Sequence, residues 1–344
     1  MAAELLGKSR QDLREYCQAL GQPPYRGAQI YRSLYAGRRF GFAEMTDLPV
    51  KLRERLAREA SISLPQVVRR HASADGCVRY LLALAAENGA PASVEAVFMP
   101  SEGRQTICVS TQAGCAVDCR FCLTARLGLL RNLSPGEILA QVLLPLEEHK
   151  DRLAGQTNVV LMGQGEPFLN YDAVLEAVRI MLDGEALGFS PKHVTLSTSG
   201  ILPGIERLAA EPVRPKLAIS LNASTDEQRD AIMPINRKYP LNALLEACRR
   251  YPLRPWERLT FEYVLLGGVN DAPEDARRVV RLLSLLRAKV NLIPWNPADL
   301  PFREPAPERV EEFRRILWEK GVPVFVRLSR GRDVMAACGQ LASL

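Results

Sequence analysis

The chain has 344 residues and a mass of 38.2 kDa, with 47% hydrophobic, 24% charged and 6% aromatic residues. That balance excludes a disordered or collagen-like chain, and the length calls for one large α/β domain with an extension, or for two domains. The net charge of +6 is unevenly spread: residues 1–70 hold 13 Lys/Arg against 7 Asp/Glu, while the other 274 residues hold 32 of each. A basic amino-terminal segment on a neutral body suits a polyanion-docking module, or merely a solvated helical face.

Up to about residue 62 the pattern is helical: RQDLREYCQALG, RGAQIYRSLYAG and LPVKLRERLAREASI are separated by Gly/Pro punctuation. From about 65 to 112 the character turns to strands, at 77–85, 93–99 and 104–110, split by the turn-rich ENGAPA and PSEG. Beyond Cys115, strands and helices alternate. Helix 134–149 carries Ser134 as N-cap with Glu137 completing a capping box, followed by strand 158–162 and helix 172–183. Strand 193–197, helix 201–210, strand 215–221 and helix 240–250 come next. Strand 259–265, helix 272–288, strand 289–294, helix 307–320 and strand 323–328 complete the series.

Repeated β-α units imply a parallel sheet, doubly wound or barrel-like, which binds ligands at the carboxyl ends of its strands. The peptides GQGEP, STSG, SLNAS, GGVND and WNP all fall just after strands. No uncharged apolar run approaches the ~18–20 residues of a membrane span. The sequence MAAELLGKSRQDLREYCQ lacks the apolar core of a signal peptide, so the chain is expected in the cytoplasm.

Eight cysteines are too sparse for a disulfide scaffold. Three of them, Cys115, Cys119 and Cys122, form a C-x3-C-x2-C loop within GCAVDCRFC. Three thiolates can bind one [4Fe–4S] cube and leave the fourth iron open to a ligand. Structural zinc generally wants four closed ligands, and no second CxxC or nearby His completes such a set. Zinc and simple packing nevertheless stay open as readings of the spacing alone.

The loop, with an aromatic residue before its third Cys, resembles the radical S-adenosylmethionine (SAM) superfamily. Around it, CVSTQAGCAVDCRFCLTARLGLLRNLSPGEILAQV, GQGEPFLNYDAV, STSGILPGI, ISLNAS, MPINRKYPL, GVND, NLIPWNP and RGRDVMAACGQLA closely resemble the RlmN/Cfr family of RNA adenine methyltransferases, from about residue 20 onward. The resemblance implies an α/β fold: a radical SAM partial (β/α)6 barrel spanning 104–344, a basic helical accessory domain at 1–64 for RNA docking, and a β-rich connecting extension at 65–103.

It further implies that Cys115, Cys119 and Cys122 hold one [4Fe–4S] cluster. Gly165, Glu166, Ser197, Ser220, Leu221, Asn222 and Asn296 match the family's SAM contacts. Taken singly, Ser197 or Ser220 reads as an ordinary turn hydroxyl. Cys338 matches the methyl-carrying cysteine and Cys108 the one that resolves a covalent RNA adduct through a transient disulfide, consuming two SAM per turnover. Alone, either reads as a small buried hydrophobe.

Glu95 matches the proposed proton acceptor. In SVEAVFM it shares a face with Val97 and Met99, and apolar neighbours there would raise its pKa. The competing reading is a salt-bridged strand glutamate. Two positions depart from the family pattern: Gln164 stands where Met is usual and Arg332 where Asp is common.

The implied substrates are an adenosine of 23S rRNA and the adenosine 3′ of certain tRNA anticodons, methylated at C2. Implied with them are a low-potential electron donor such as flavodoxin or ferredoxin, a monomeric state and no membrane partner. The alternatives are C8 methylation, as in the Cfr branch, and a non-catalytic RNA-binding protein with a metal knot.

Overall fold

Capping chemistry sets the helix starts. Ser9 accepts from the Asp12 amide at 3.1 Å while Asp12 accepts from the Ser9 amide at 2.9 Å. Ser134 and Glu137 make the same reciprocal pair, which satisfies amides that no helical carbonyl reaches. The structure, a computed structural model, describes residues 2–87 and 90–342. The amino-terminal part runs β1 (Ala3–Glu4), α1 (Arg10–Ala19), α2 (Tyr25–Tyr35), α3 (Val50–Glu59) and β2 (Ala60–Ser61), with β1 and β2 paired in parallel.

Strands β3 (Gln66–Ala72), β4 (Val78–Glu87), β5 (Ala90–Ser101) and β6 (Arg104–Val109) then run antiparallel. A short hairpin of β7 (Gln112–Gly114) and β8 (Leu129–Asn132) follows. The alternating part comprises α4 (Pro135–Glu148), β9 (Gln156–Leu161), α5 (Tyr171–Leu182), β10 (Val194–Thr198), α6 (Leu202–Ala209), β11 (Lys216–Ser220), α7 (Asp226–Ile232) and α8 (Leu241–Arg250). It continues through β12 (Leu259–Leu265), α9 (Pro273–Leu283), β13 (Ala288–Pro294), α10 (Pro307–Glu319) and β14 (Val324–Val326).

One ten-stranded sheet has the order β14-β13-β12-β11-β10-β9-β6-β5-β4-β3, parallel from β6 to β14 and antiparallel from β6 to β3. The parallel strands follow chain order with no reversal. Right-handed crossovers therefore all pass on one face, which gives a partial barrel of β-α units and not a doubly wound sheet. The β-rich extension continues the same sheet through the Val97–Cys108 pairing of β5 with β6.

Alternation divides the sheet cleanly. Ile107, Val159, Leu196, Leu217, Phe261 and Val290 belong to the main core on one face, with the helices. Their neighbours Cys108, Val160, Ser197, Ser220, Glu262 and Asn291 point to the other, concave face. Among the described residues no helix is long and apolar enough to cross a membrane.

Helix α7, strand β3 and the β7–β8 hairpin are not among the elements predicted from sequence, and helix 272–288 ends instead at Leu283, before a turn closed by Leu286 N–H to Leu283 O at 2.9 Å. In α7, DEQRDAI has too few apolar residues to show helical periodicity. The QVVRRHA of β3 lies at the sheet edge and is mostly exposed, so it lacks the usual alternation.

Candidate active site on the inner face

The β7–β8 hairpin pins both ends of the cysteine loop. Gly114 has φ +74°, and a Cβ there would stand 1.8 Å from the Gly128 carbonyl oxygen, so only glycine fits. Cys115 N–H donates to Gly128 O at 2.8 Å and Cys122 N–H to Cys119 O at 3.1 Å. The loop is strapped over the carboxyl ends of the strands: Arg120 N–H donates to Ile232 O at 2.9 Å and the Trp295 indole to Phe121 O at 3.1 Å. Cys119 and Cys122 pack against Ala223, Ile232, Met233, Leu266 and Trp295.

All three thiols are free and partly exposed. Burial first, and then Glu166 and Cys122, push Cys115 up to about 12; burial and then Cys122 and Cys115 push Cys119 well above the ordinary thiol value. Thiols that repel one another in this way ionise together only around a cationic centre. Among the described residues no three His, Cys, Asp or Glu side chains are grouped to hold a single metal ion. Three thiols on one loop without a fourth ligand fit a cluster with one open iron better than a closed zinc site.

The other rim residues lie at or just past strand ends. Gly165, with φ +99°, packs so tightly on Gln112 that a Cβ would come within 2.7 Å of it. The Glu166 carboxylate accepts from Thr198 Oγ1 at 2.8 Å, Ser199 N–H at 2.7 Å and Phe168 N–H at 3.1 Å. Burial raises its pKa against the pull of those donors. With three of roughly four lone-pair directions used, Glu166 ties the GQGEP loop to the end of β10 and keeps about one direction for a ligand. Asn222, at φ +55°, accepts from Val264 N–H at 2.8 Å through its side chain, and the buried Leu221 donates its N–H to Glu262 O at 3.0 Å. Ser197 and Ser220 stand on adjacent strands of the concave face.

Arg229 is a member of this rim that sequence reasoning missed. Fully buried, it donates to the carbonyls of Ser199 at 2.6 Å, Ser220 at 2.9 Å and Leu221 at 3.1 Å, and to Asn236 Oδ1 at 3.0 Å. Burial lowers its pKa to about 10, so it remains a cation that holds together the ends of β10 and β11. Its acceptors are mostly main-chain oxygens, which no side-chain motif reveals.

Cys108 and the Cys338 segment meet on the concave face. Cys108 packs with Val97, Ala336 and Leu341. The segment is anchored to the cysteine loop by Leu123 N–H to Gly339 O at 2.8 Å and Thr124 Oγ1 to Leu341 O at 2.6 Å, and Asn296 Nδ2 donates to Cys338 O at 3.0 Å. Its upstream end is clipped to the β3–β4 turn by Ser73 Oγ to Asp333 at 2.6 Å and by Arg330 and Gly331 to Asp75. The substituted Arg332 pairs with Glu304 at 3.1 Å, outside this clip. Gln164 is buried, and its main-chain N–H donates to Ser110 Oγ at 2.9 Å. Cys338 is exposed yet recessed in the barrel mouth, where burial raises it to about 11. Burial, and then Cys338, raise Cys108 as well. Both are free thiols, so the disulfide implied by the resemblance is not formed here.

Glu95 is fully buried on the same face, but its surroundings are not apolar alone. Arg79 Nη1 donates to Glu95 Oε1 at 2.7 Å from the neighbouring strand, so the salt-bridged arrangement is the one present. Arg79→Ala would take its hydrogen-bonded cation away from the buried Glu95 carboxylate. We expect a loss of about 3–5 kcal/mol in unfolding free energy, read by urea denaturation; a loss under about 1 kcal/mol would show that the pair does not hold the carboxylate.

Residues 109–283 match the family model of the radical SAM superfamily, and residues 3–62 match that of the ribosomal RNA large subunit methyltransferase N-terminal domain. The chain is 51% identical over 342 residues to the probable dual-specificity RNA methyltransferase RlmN of Koribacter versatilis (strain Ellin345), covering 94% of this chain and 97% of that protein. It is 47% identical to the dual-specificity RNA methyltransferase RlmN of Anaeromyxobacter dehalogenans (strain 2CP-C), covering 99% and 92%. The crystal structure of a radical SAM methyltransferase from Sphaerobacter thermophilus superposes with a TM-score of 0.93 at 42% identity, covering 99% of this chain and all of that one.

Proposed function

This chain belongs to the RlmN family of dual-specificity RNA methyltransferases within the radical SAM superfamily, and we propose that it methylates C2 of a specific adenosine in 23S rRNA and of the adenosine 3′ of certain tRNA anticodons. The observation that carries this reading is the convergence of the cysteine loop, Cys108, Glu95 and the Cys338 segment on one concave face. Cys115, Cys119 and Cys122 would hold the [4Fe–4S] cluster, and SAM would sit along Gly165, Glu166, Ser197, Ser220, Leu221, Asn222 and Asn296. When bound, the cluster supplies the electron that cleaves SAM to a hydrogen-abstracting radical.

The rest is the work of the chain's own side chains. Adenine C2 is electron-poor and a weak nucleophile, whereas a thiolate is a good one. Cys338 therefore takes a methyl group from one SAM by displacement. Once that S-methyl group has lost a hydrogen atom, its carbon bonds to C2 and joins protein to RNA. The adduct then gives up one electron, which the oxidised cluster held by Cys115, Cys119 and Cys122 would take back, and Glu95 takes the C2 proton. Cys108 thiolate attacks Cys338 sulfur, the sulfur–carbon bond breaks, its electron pair stays on carbon, and a proton completes the new methyl group. The resulting disulfide is reduced by thiol–disulfide exchange with an external dithiol before the next turnover, in keeping with a cytoplasmic setting. A flavodoxin- or ferredoxin-type donor would supply the electron to a monomeric enzyme.

Residues 1–64 would dock the RNA, 65–103 connect, and 104–344 catalyse. Arg14, Arg32, Lys51 and Arg58 are exposed on that first part and form no ion pair among the described residues. Such cations supply phosphate affinity without sequence reading. Mass spectrometry of rRNA and tRNA from cells lacking the endogenous enzyme and complemented with this gene tests the assignment. The expected product is 2-methyladenosine in both RNAs; 8-methyladenosine alone would overturn the regiochemistry.

A further inference from the structure

The concave face carries charge that the reaction above leaves unused. Lys216 on β11, Lys289 on β13 and Arg327 just past β14 alternate with Leu217, Val290 and Val324 of the helix-covered core, so they point to the concave side. Among the described residues none of the three makes a side-chain hydrogen bond or ion pair; Lys289 Nζ stands 5.8 Å from the Phe325 ring. Burial first, and then repulsion from Arg327 and, for Lys216, from Lys289, lowers both lysines, although Glu257 and Glu262 respectively pull the other way.

The carboxylate that faces Lys289 and Arg327 on this side is Glu262, which is buried and accepts from Asn291 Nδ2 at 2.8 Å. Beside it, Asn291 Oδ1 is buried with no hydrogen-bond partner. Two half-buried lysines and an exposed arginine that repel one another, form no ion pair among the described residues and outnumber the single carboxylate facing them mark a concavity shaped for an anion. Lys216 lies four residues before Ser220 on the same strand, roughly 13 Å down from the rim. That places Lys216 too deep for the carboxylate of a SAM seated at the rim, while Lys289, in register with Thr260 and Ala218, and Arg327, just past the Leu292–Val326 pair, extend the row upward.

We propose that Lys216, Lys289 and Arg327 form a phosphate subsite that takes the phosphodiesters flanking the target adenosine, with Asn291 Oδ1 accepting from a ribose 2′-hydroxyl. The subsite rests on the RNA methyltransferase reading and adds to it where the strand lies. Phosphate contacts fix register without reading sequence, which suits an enzyme that accepts two classes of RNA.

The test is the salt dependence of binding to a short RNA hairpin carrying the target adenosine, followed by fluorescence anisotropy. Three full-length chains are compared: wild type, K216Q/K289Q/R327Q and the charge-retaining K216R/K289R/R327K. The glutamine variant is expected to bind more weakly, with a log–log salt slope flatter by roughly 0.7 for each phosphate it no longer neutralises, about 1.4 for the two that flank the adenosine. The charge-retaining variant is expected to keep the wild-type slope.

An unchanged slope in the glutamine variant overturns the subsite. So does an equal flattening in the charge-retaining variant, which would make the effect one of packing. A glutamine variant that loses SAM binding in equilibrium dialysis yet keeps its RNA slope would assign the cations to the cofactor carboxylate, against the proposal. A wild-type chain with no measurable RNA affinity would remove the RNA reading itself, a different failure.

Discussion

Cys338→Ala is expected to abolish RNA methylation while the purified protein keeps its iron and sulfide. The reason is chemical. Without the thiol the methyl group has no acceptor on the concave face, since Cys108 is buried to 8% exposure and packed against Val97, Ala336 and Leu341. The loss should be on the order of 10³-fold or more, equivalent to roughly 4 kcal/mol of barrier. Cys338→Ser should fail equally, because a hydroxyl is a far poorer nucleophile than a thiolate. The wild-type thiol is itself held back. Burial raises it to about 11, so the thiolate fraction, and with it the initial rate of Cys338 methylation, should rise with pH up to that value, about tenfold per unit. The check is mass spectrometry of the Cys338 peptide after single-turnover incubation with SAM. A pH-independent rate would show that methyl transfer does not wait on ionisation of this thiol.

Cys119→Ala is expected to cost the cluster. Cys115 and Cys122 alone would leave two ligands for a centre that needs three, so iron and acid-labile sulfide per chain should fall to background after anaerobic reconstitution. Methylation should fall with them. The fold should survive, because Cys119 is only partly buried beside Ile232 and Met233 and the loop remains pinned by the β7–β8 hairpin and Trp295. Circular dichroism separates the two effects. A variant with full iron content, or a wild-type protein carrying stoichiometric zinc, would contradict the assignment of the loop.

Much of this arrangement is legible in the sequence because its signals are local. The strands that carry Cys108, Ser197 and Ser220 lie where the apolar runs predict them, at or within a residue of their ends, and the capping box at Ser134 fixes the start of α4. What escapes is non-local or short. Arg79 meets Glu95 only because β4 and β5 pair Leu81 with Glu95, a register that composition does not specify. The clip of Asp333 on Ser73 joins residues 260 apart. Arg229 sits on a seven-residue helix whose charged sequence hides its burial, and its service to the rim lies in main-chain carbonyls. The monotone strand order, which excludes a doubly wound sheet, likewise emerges only from the pairing.

The central claim is that the methyl carbon passes through Cys338 on its way to adenine. Turnover with SAM whose methyl group is fully deuterated tests it most directly, by mass spectrometry of the methylated adenosine. Passage through Cys338 removes one deuterium from carbon and replaces it with a solvent proton, so the product methyl should retain two deuteria. A product methyl that keeps all three would mean direct transfer from SAM, with Cys338, Cys108 and Glu95 left without the roles given to them.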